Sequence, residues 1–156
     1  MKLAAIDIGS NAARLLITEV KQATDNKTDF TKISLVRIPL RLGFDVFENA
    51  EISQKKAINL VKTIKAYKLL LDIYDVKHLK ACATSAMRDA KNAADILKQV
   101  KAETGIDIRI ISGQEEASFI HENHIAELMD KTKSYLYVNV GGGSTELAFF
   151  SKNKLV

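Results

Sequence analysis

Two stretches of this chain place the same residue types in the same order. IDIGSN (6–11) runs from an apolar strand through Asp7 into Gly9, Ser10 and Asn11. VNVGGGSTE (138–146) runs through Asn139 into Gly141, Gly142 and Gly143, then Ser144, Thr145 and Glu146. A turn without Cβ atoms lets several backbone N–H groups close on one anion, and phosphate is the anion that uses such a ring of donors. Ser10, Asn11, Ser144 and Thr145 add side-chain donors. Asp7 is acceptor-only when ionised and suits Mg²⁺, directly or through water. Two such hairpins facing each other would clamp a polyphosphate and its metal. Two ordinary tight turns are the plainer reading of the same residues.

Glu116 is the candidate general base. Ser112 and Glu115 match a capping box, so Glu115 has a structural role and Glu116 is left to face a cleft and work on water. A surface or helix-dipole role is the competing reading for Glu116. Arg88 follows ATSAM at a strand-to-helix junction, the usual ligand rim of an α/β sheet, where a guanidinium can fork onto phosphate oxygens. A surface arginine at a helix start fits that position too. His121 and His124 lie three apart on a helix. They do not form H-E-x-x-H and have no third ligand, so they read as surface or packing residues.

These groups need elements to hold them. Residues 2–8 and 13–20 read as two strands joined by the GSNA turn, an antiparallel hairpin. Residues 21–29 form a polar loop and 30–41 a third strand, with Pro39 pointing to a sheet edge because proline cannot donate to the ladder. Ser53 is placed to cap a helix over 54–74 whose apolar stripe is Ala57, Leu60, Val61, Ile64 and Leu71. A strand at 77–83, a helix at 86–104 stopped by Gly105, a strand at 106–111 and a helix at 113–129 follow. Two more strands flank the second glycine turn. The order β-β-β-α-β-α-β-α, then β-β, implies an α/β fold: a mixed sheet with helices on its faces.

Composition narrows the class. The chain has 156 residues, 47% hydrophobic and 27% charged, enough for one domain with a real core. No apolar run reaches a membrane span. The single cysteine, Cys82, excludes an internal disulfide and reads as a buried reduced thiol, which favours the cytoplasm. The net charge is +4, but no basic run is interleaved with aromatics, so nucleic-acid binding has little support.

Taken together, AAIDIGSNAARLLI, RLG at 41–43, ATSAMRDAKNAADIL at 83–97, IISGQEEA at 110–117 and GGGSTEL at 141–147 resemble the exopolyphosphatase / guanosine pentaphosphate phosphatase family, within the acetate kinase–sugar kinase–Hsp70–actin superfamily. The resemblance implies a ribonuclease H-like five-stranded sheet, three strands antiparallel and hairpin-linked and two parallel. It implies release of terminal phosphate from inorganic polyphosphate or guanosine pentaphosphate, with Mg²⁺ as the metal. Glu116 matches the water-activating base and Arg88 the phosphate-binding arginine. Gly9, Ser10 and Asn11 match one phosphate loop, and Gly141, Gly142, Gly143, Ser144 and Thr145 the other. Asp7, Glu146 and the position of Asn139 match acidic residues associated with metal and phosphate.

Two departures stand out. The family pattern carries Asp where this chain has Asn139, and a second serine where it has Ala12. Asn keeps a carbonyl acceptor but loses the charge a hard cation prefers. The expected organisation is a ribonuclease H-like domain over 1–131 and, over 132–156, a β-hairpin that opens a second domain the chain does not contain. That predicts weak or no turnover by this chain. It leaves room for a second reading, a non-catalytic module that binds or senses polyphosphate or guanosine tetra- or pentaphosphate. The exposed hairpin also invites a homodimer.

Overall fold

The computed structural model describes residues 1–22, 28–122, 130, 132–143, 145–151 and 154–155. Strands β1 (Lys2–Ile8), β2 (Ala13–Gln22) and β3 (Thr28–Ile38) form an antiparallel meander. Helices α1 (Leu42–Asn49) and α2 (Gln54–Ile73) carry the chain to β4 (His78–Ala83), which pairs parallel with β1. Helices α3 (Ser85–Asp89) and α4 (Ala93–Thr104) lead to β5 (Arg109–Ile110), parallel to β4. Helix α5 (Gly113–Glu122) follows. The strand order is β3-β2-β1-β4-β5, the ribonuclease H-like arrangement. A second sheet holds β6 (Ser134–Val140), β7 (Thr145–Ser151) and β8 (Lys154–Leu155), all antiparallel. The expected C-terminal hairpin therefore carries a third short strand.

Alternation along the strands sorts the two faces of the main sheet. Ala4, Ile6 and Ile8 of β1, with Ala13, Leu15 and Ile17 of β2, point to one side and are buried there. The α2 stripe Ala57, Leu60, Val61, Ile64 and Leu71 packs on them, as do Ile96 and Val100 of α4. Tyr67 anchors this face: its hydroxyl donates to the Ala13 carbonyl at 2.9 Å. Helix α5 lies across the other face, where Phe119 receives the Lys80 ammonium 4.0 Å above its ring. Among the described residues, no helix is long and apolar enough to cross a membrane.

Several boundaries differ from the sequence reading, each for a non-local reason. Helix α1 falls in a stretch with no strong helix signal, eight residues that open with Leu42 and Gly43 and hold Phe44, Val46 and Phe47. It forms because Arg41 and Gly43 donate their N–H groups to the carbonyls of Asn11 and Ser10, both at 2.8 Å. The helix expected over 86–104 is broken at Ala90–Asn92. There Lys91 N–H bonds the Ala50 carbonyl, and the Asn92 amide both accepts from and donates to the Ile52 backbone. The strand expected at 106–111 shrinks to two residues, because β4 offers only Cys82 and Ala83 as partners while Ile106 and Ile108 enter the core. β3 is the sheet edge, and it stops at Ile38, just before Pro39. Ser53 holds the N-cap position of α2 without a side-chain bond to it; its N–H instead donates to Asp45. Cys82 is half-buried rather than buried. Gly105 ends α4 at φ 72°, the left-handed value that favours glycine. Residues 123–129 of the expected last helix, His124 among them, lie outside the described residues, as does the middle of the 21–29 loop.

Candidate functional site

The first hairpin turns tightly at the C-terminal end of β1. Gly9 N–H bonds the Ala12 carbonyl at 3.0 Å, and Ile8 pairs with Ala13. Asp7 points away from the core. Arg14, its partner across the hairpin, sets Nη1 3.6 Å from the Asp7 carboxylate. Burial raises the Asp7 pKa above the ordinary aspartate value, against the opposing pull of Arg14. Because β4 runs parallel to β1, Thr84 N–H reaches the Ile8 carbonyl at 3.0 Å and the loop after β4 lies beside the first turn. There the Ser10 and Ser85 hydroxyls share a buried hydrogen bond of 2.5 Å.

The second hairpin meets the first face to face. Asn139 pairs with Glu146 and Val140 with Thr145, which leaves the glycines as the turn. The turns touch. A Cβ on Gly142 would lie 3.1 Å from Asn11 Cβ, and one on Gly143 would lie 2.6 Å from Ser10 Oγ and 2.3 Å from the Phe47 ring. Gly142 and Gly143 are glycines because the first turn and Phe47 of α1 occupy the space where their side chains would go.

Helix α5 closes the third side. Ser112 Oγ accepts Glu115 N–H at 3.1 Å, half of the expected capping box. The Glu115 carboxylate does not return to the cap; it pairs with both Arg109 nitrogens on the outer side. Glu116, one residue on, turns inward, and its Oε2 is screened from solvent.

The result is a cavity of about 150 Å³. Asp7, Gly9, Ser10 and Asn11 reach it from the first hairpin, Asn139, Gly141 and Gly142 from the second, and Glu116 from α5. Gly143 supports the contact between loops rather than the wall. Thr145 sits exposed at the base of the second hairpin, outside the lining. Arg88 is exposed and also outside it; its Nη1 donates to the Ile111 carbonyl at 2.9 Å and ties α3 to the start of α5. Ser144 and the Glu146 side chain lie outside the described residues.

Three polar lining residues escaped the sequence reading. Thr84 and Ser85 are small hydroxyl residues just ahead of Arg88 in ATSAMR, and the parallel pairing of β4 with β1 brings them in. Arg14 joins them because β2 pairs it directly with Asp7. A larger hollow of about 570 Å³ adjoins the cavity through Ser10, Asn11 and Gly142 and is floored by Phe44 and Phe47. The arrangement offers backbone and hydroxyl donors on two sides of an anion, one carboxylate at the rim and one screened carboxylate that can take a proton.

Comparisons with known proteins bear on the family and the fold. Residues 19–156 match the Ppx/GppA phosphatase family. The chain is 36% identical over 146 residues to a bifunctional 3-dehydroquinate synthase/phosphatase of Fusobacterium nucleatum, covering 92% of this chain and 22% of that protein. It is 28% identical over 148 residues to exopolyphosphatase 1 of Mycobacterium tuberculosis, covering 95% of this chain and 42% of that protein. The crystal structure of the Aquifex aeolicus Ppx/GppA family member superposes with a TM-score of 0.82 at 33% identity, over 100% of this chain and 49% of that one. An exopolyphosphatase from Cytophaga hutchinsonii superposes with a TM-score of 0.85 at 25% identity, over 100% and 48%. The chain thus spans half or less of the length of these relatives. On the family match and the shared fold, the chain belongs to the Ppx/GppA phosphatase family.

Proposed function

We propose that this chain provides the phosphate-holding lobe of an exopolyphosphatase-type phosphohydrolase, acting on the end of inorganic polyphosphate or on guanosine pentaphosphate in the cytoplasm. The observation that carries this is the convergence of both glycine hairpins and Glu116 on one cavity. The hairpin N–H groups and the Ser10–Ser85 pair would hold the terminal phosphoryl oxygens. Glu116 would take a proton from water as the water oxygen bonds the terminal phosphorus. The bridging P–O bond breaks, and the shortened chain leaves as an oxyanion.

Mg²⁺ commonly binds through one or two carboxylates together with substrate phosphates and water. Asp7 and the Asn139 amide fit that donor set. Among the described residues, no cluster of three carboxylate, imidazole or thiol groups stands ready to hold the ion without substrate. When bound, the ion would offset charge on the phosphate oxygens.

Asn139 favours a second reading, a module that binds polyphosphate or guanosine tetra- or pentaphosphate without turnover. Calorimetric titration with tripolyphosphate, paired with phosphate release in Mg²⁺, separates the two. For the hydrolase, the parent chain gives weak release that Glu116→Gln abolishes while leaving binding within about threefold. Saturable binding with no release from the parent chain supports the module. No binding of any phosphate ligand refutes both.

A further inference from the structure

Asp7 belongs to a row of residues that runs straight across the main sheet. Register places Arg37 of β3 beside Arg14 of β2, Arg14 beside Asp7 of β1, Asp7 beside Cys82 of β4, and Cys82 beside Arg109 of β5. Directly paired residues share a face, so all five lie on the face away from the core. Arg109 is committed to Glu115, and Arg14 leans toward Asp7. Arg37 is exposed, and among the described residues no carboxylate lies within ion-pair distance of it.

Two arginines directly opposite each other repel, and the sheet carries that cost at the rim of the cavity. The next row toward the far end of the strands reads Leu35, Leu16, Ala5 and Lys80, and its one cation packs over Phe119. At about 4.8 Å per strand spacing, Arg37 stands about 10 Å from Asp7, at the open edge of the sheet. The cavity holds about five water volumes, room for one phosphoryl group and its water but not for a chain.

We propose that Arg14 and Arg37 form a phosphate track, receiving the next phosphoryl groups of a linear polyphosphate whose end occupies the cavity. This rests on the phosphate-holding role proposed above and adds a direction: the chain leaves the cavity across β2 and β3, toward the sheet edge. An anion laid over both guanidinium groups also removes their mutual repulsion.

Binding of pyrophosphate and of long-chain inorganic polyphosphate, titrated at several salt concentrations, tests the track. Arg37→Gln weakens the long chain about five- to tenfold, leaves pyrophosphate within about twofold, and lowers the salt slope for the long chain by about one. Arg37→Lys keeps the charge and restores most of that slope. Lys98→Gln removes the same charge from α4, on the opposite side of the sheet, and changes neither ligand. If Arg37→Gln binds the long chain as the parent does, Arg37 only guards the sheet edge and the track is refuted while the phosphate reading stands. Equal loss for both ligands refutes it as well, leaving a general charge effect. If the parent binds neither ligand, the phosphate reading itself fails and the track falls with it.

Discussion

The hairpins β1–β2 and β6–β7 close on the same cavity from opposite sides, yet they stand on different foundations. Behind the first turn, Ile8, Ala13 and Leu15 are 0% exposed and packed under two helices. Behind the second, Val140 is 74% exposed and Leu147 65%. Register sets Leu136 opposite Phe149 and Val138 opposite Leu147, so these residues and Val140 form one uncovered apolar face. Among the described residues of this hairpin, only Ala148 and Phe150, on the reverse face, are buried. A repeated motif therefore dictates a repeated turn, whereas rigidity comes from what packs beneath it.

The largest test of this contrast is a pair of truncations. Leu15→Ala costs about 2–5 kcal/mol, as a fully buried leucine should, and Leu147→Ala stays within about 0.5 kcal/mol. Urea unfolding monitored by circular dichroism measures both. Equal losses would mean that the second hairpin has a core of its own.

A middle-sized effect separates the turns themselves. A Cβ on Gly9 would meet only the Ala12 carbonyl, at 3.6 Å, so Gly9→Ala costs under about 1 kcal/mol. Gly143→Ala drives into Ser10 and Phe47 and costs about 1–3 kcal/mol. Adding Phe47→Ala to Gly143→Ala makes the second change cost less than it does alone, read from denaturation midpoints. Strict additivity would show that the second turn does not touch α1 in solution.

The smallest effect is a pH dependence in the first hairpin. Burial makes the folded chain hold the Asp7 proton more tightly than the unfolded chain does. Stability from this group is therefore lost as pH rises from the ordinary aspartate value through the raised one. Asn139, its counterpart, has no proton to lose. Asp7→Asn is accordingly more stable than the parent at neutral pH, and the advantage fades on acidification below the ordinary aspartate range. Unfolding midpoints across acid pH measure it; an advantage that grows on acidification would reverse the assignment.

Legibility follows the same division between local and distant causes. The hairpins, the α2 stripe and Gly105 were readable because alternation, periodicity and turn residues are local signals, whereas the ribonuclease H-like sheet was implied only by the family resemblance. The offset of Glu116 from the cap left a cleft role and a surface role both open, and only the IISGQEEA motif singled it out. Helix α1 was not, since it depends on carbonyls of Ser10 and Asn11 some thirty residues earlier in the chain. The break before Asn92 answers to Ile52, forty residues away in sequence. Ser85 and Arg14 entered the site only through strand register, which no spacing within their own segments reveals. Arg88 shows the converse: its position suited a phosphate, and in the structure its bond goes to the Ile111 carbonyl.

Tyr67 gives the first hairpin an alkaline limit. Its phenol is pushed up to about 12, chiefly by burial, while its hydroxyl donates to Ala13 and to Val36 on neighbouring strands. An unfolded tyrosine ionises near pH 10, so between those values only the unfolded chain sheds this proton, and each step upward favours unfolding. The same bond that steadies the first hairpin is thus a latch that base releases. The chain has four tyrosines and no tryptophan, so the difference in phenolate absorbance between the parent and Tyr67→Phe across alkaline pH reports the release.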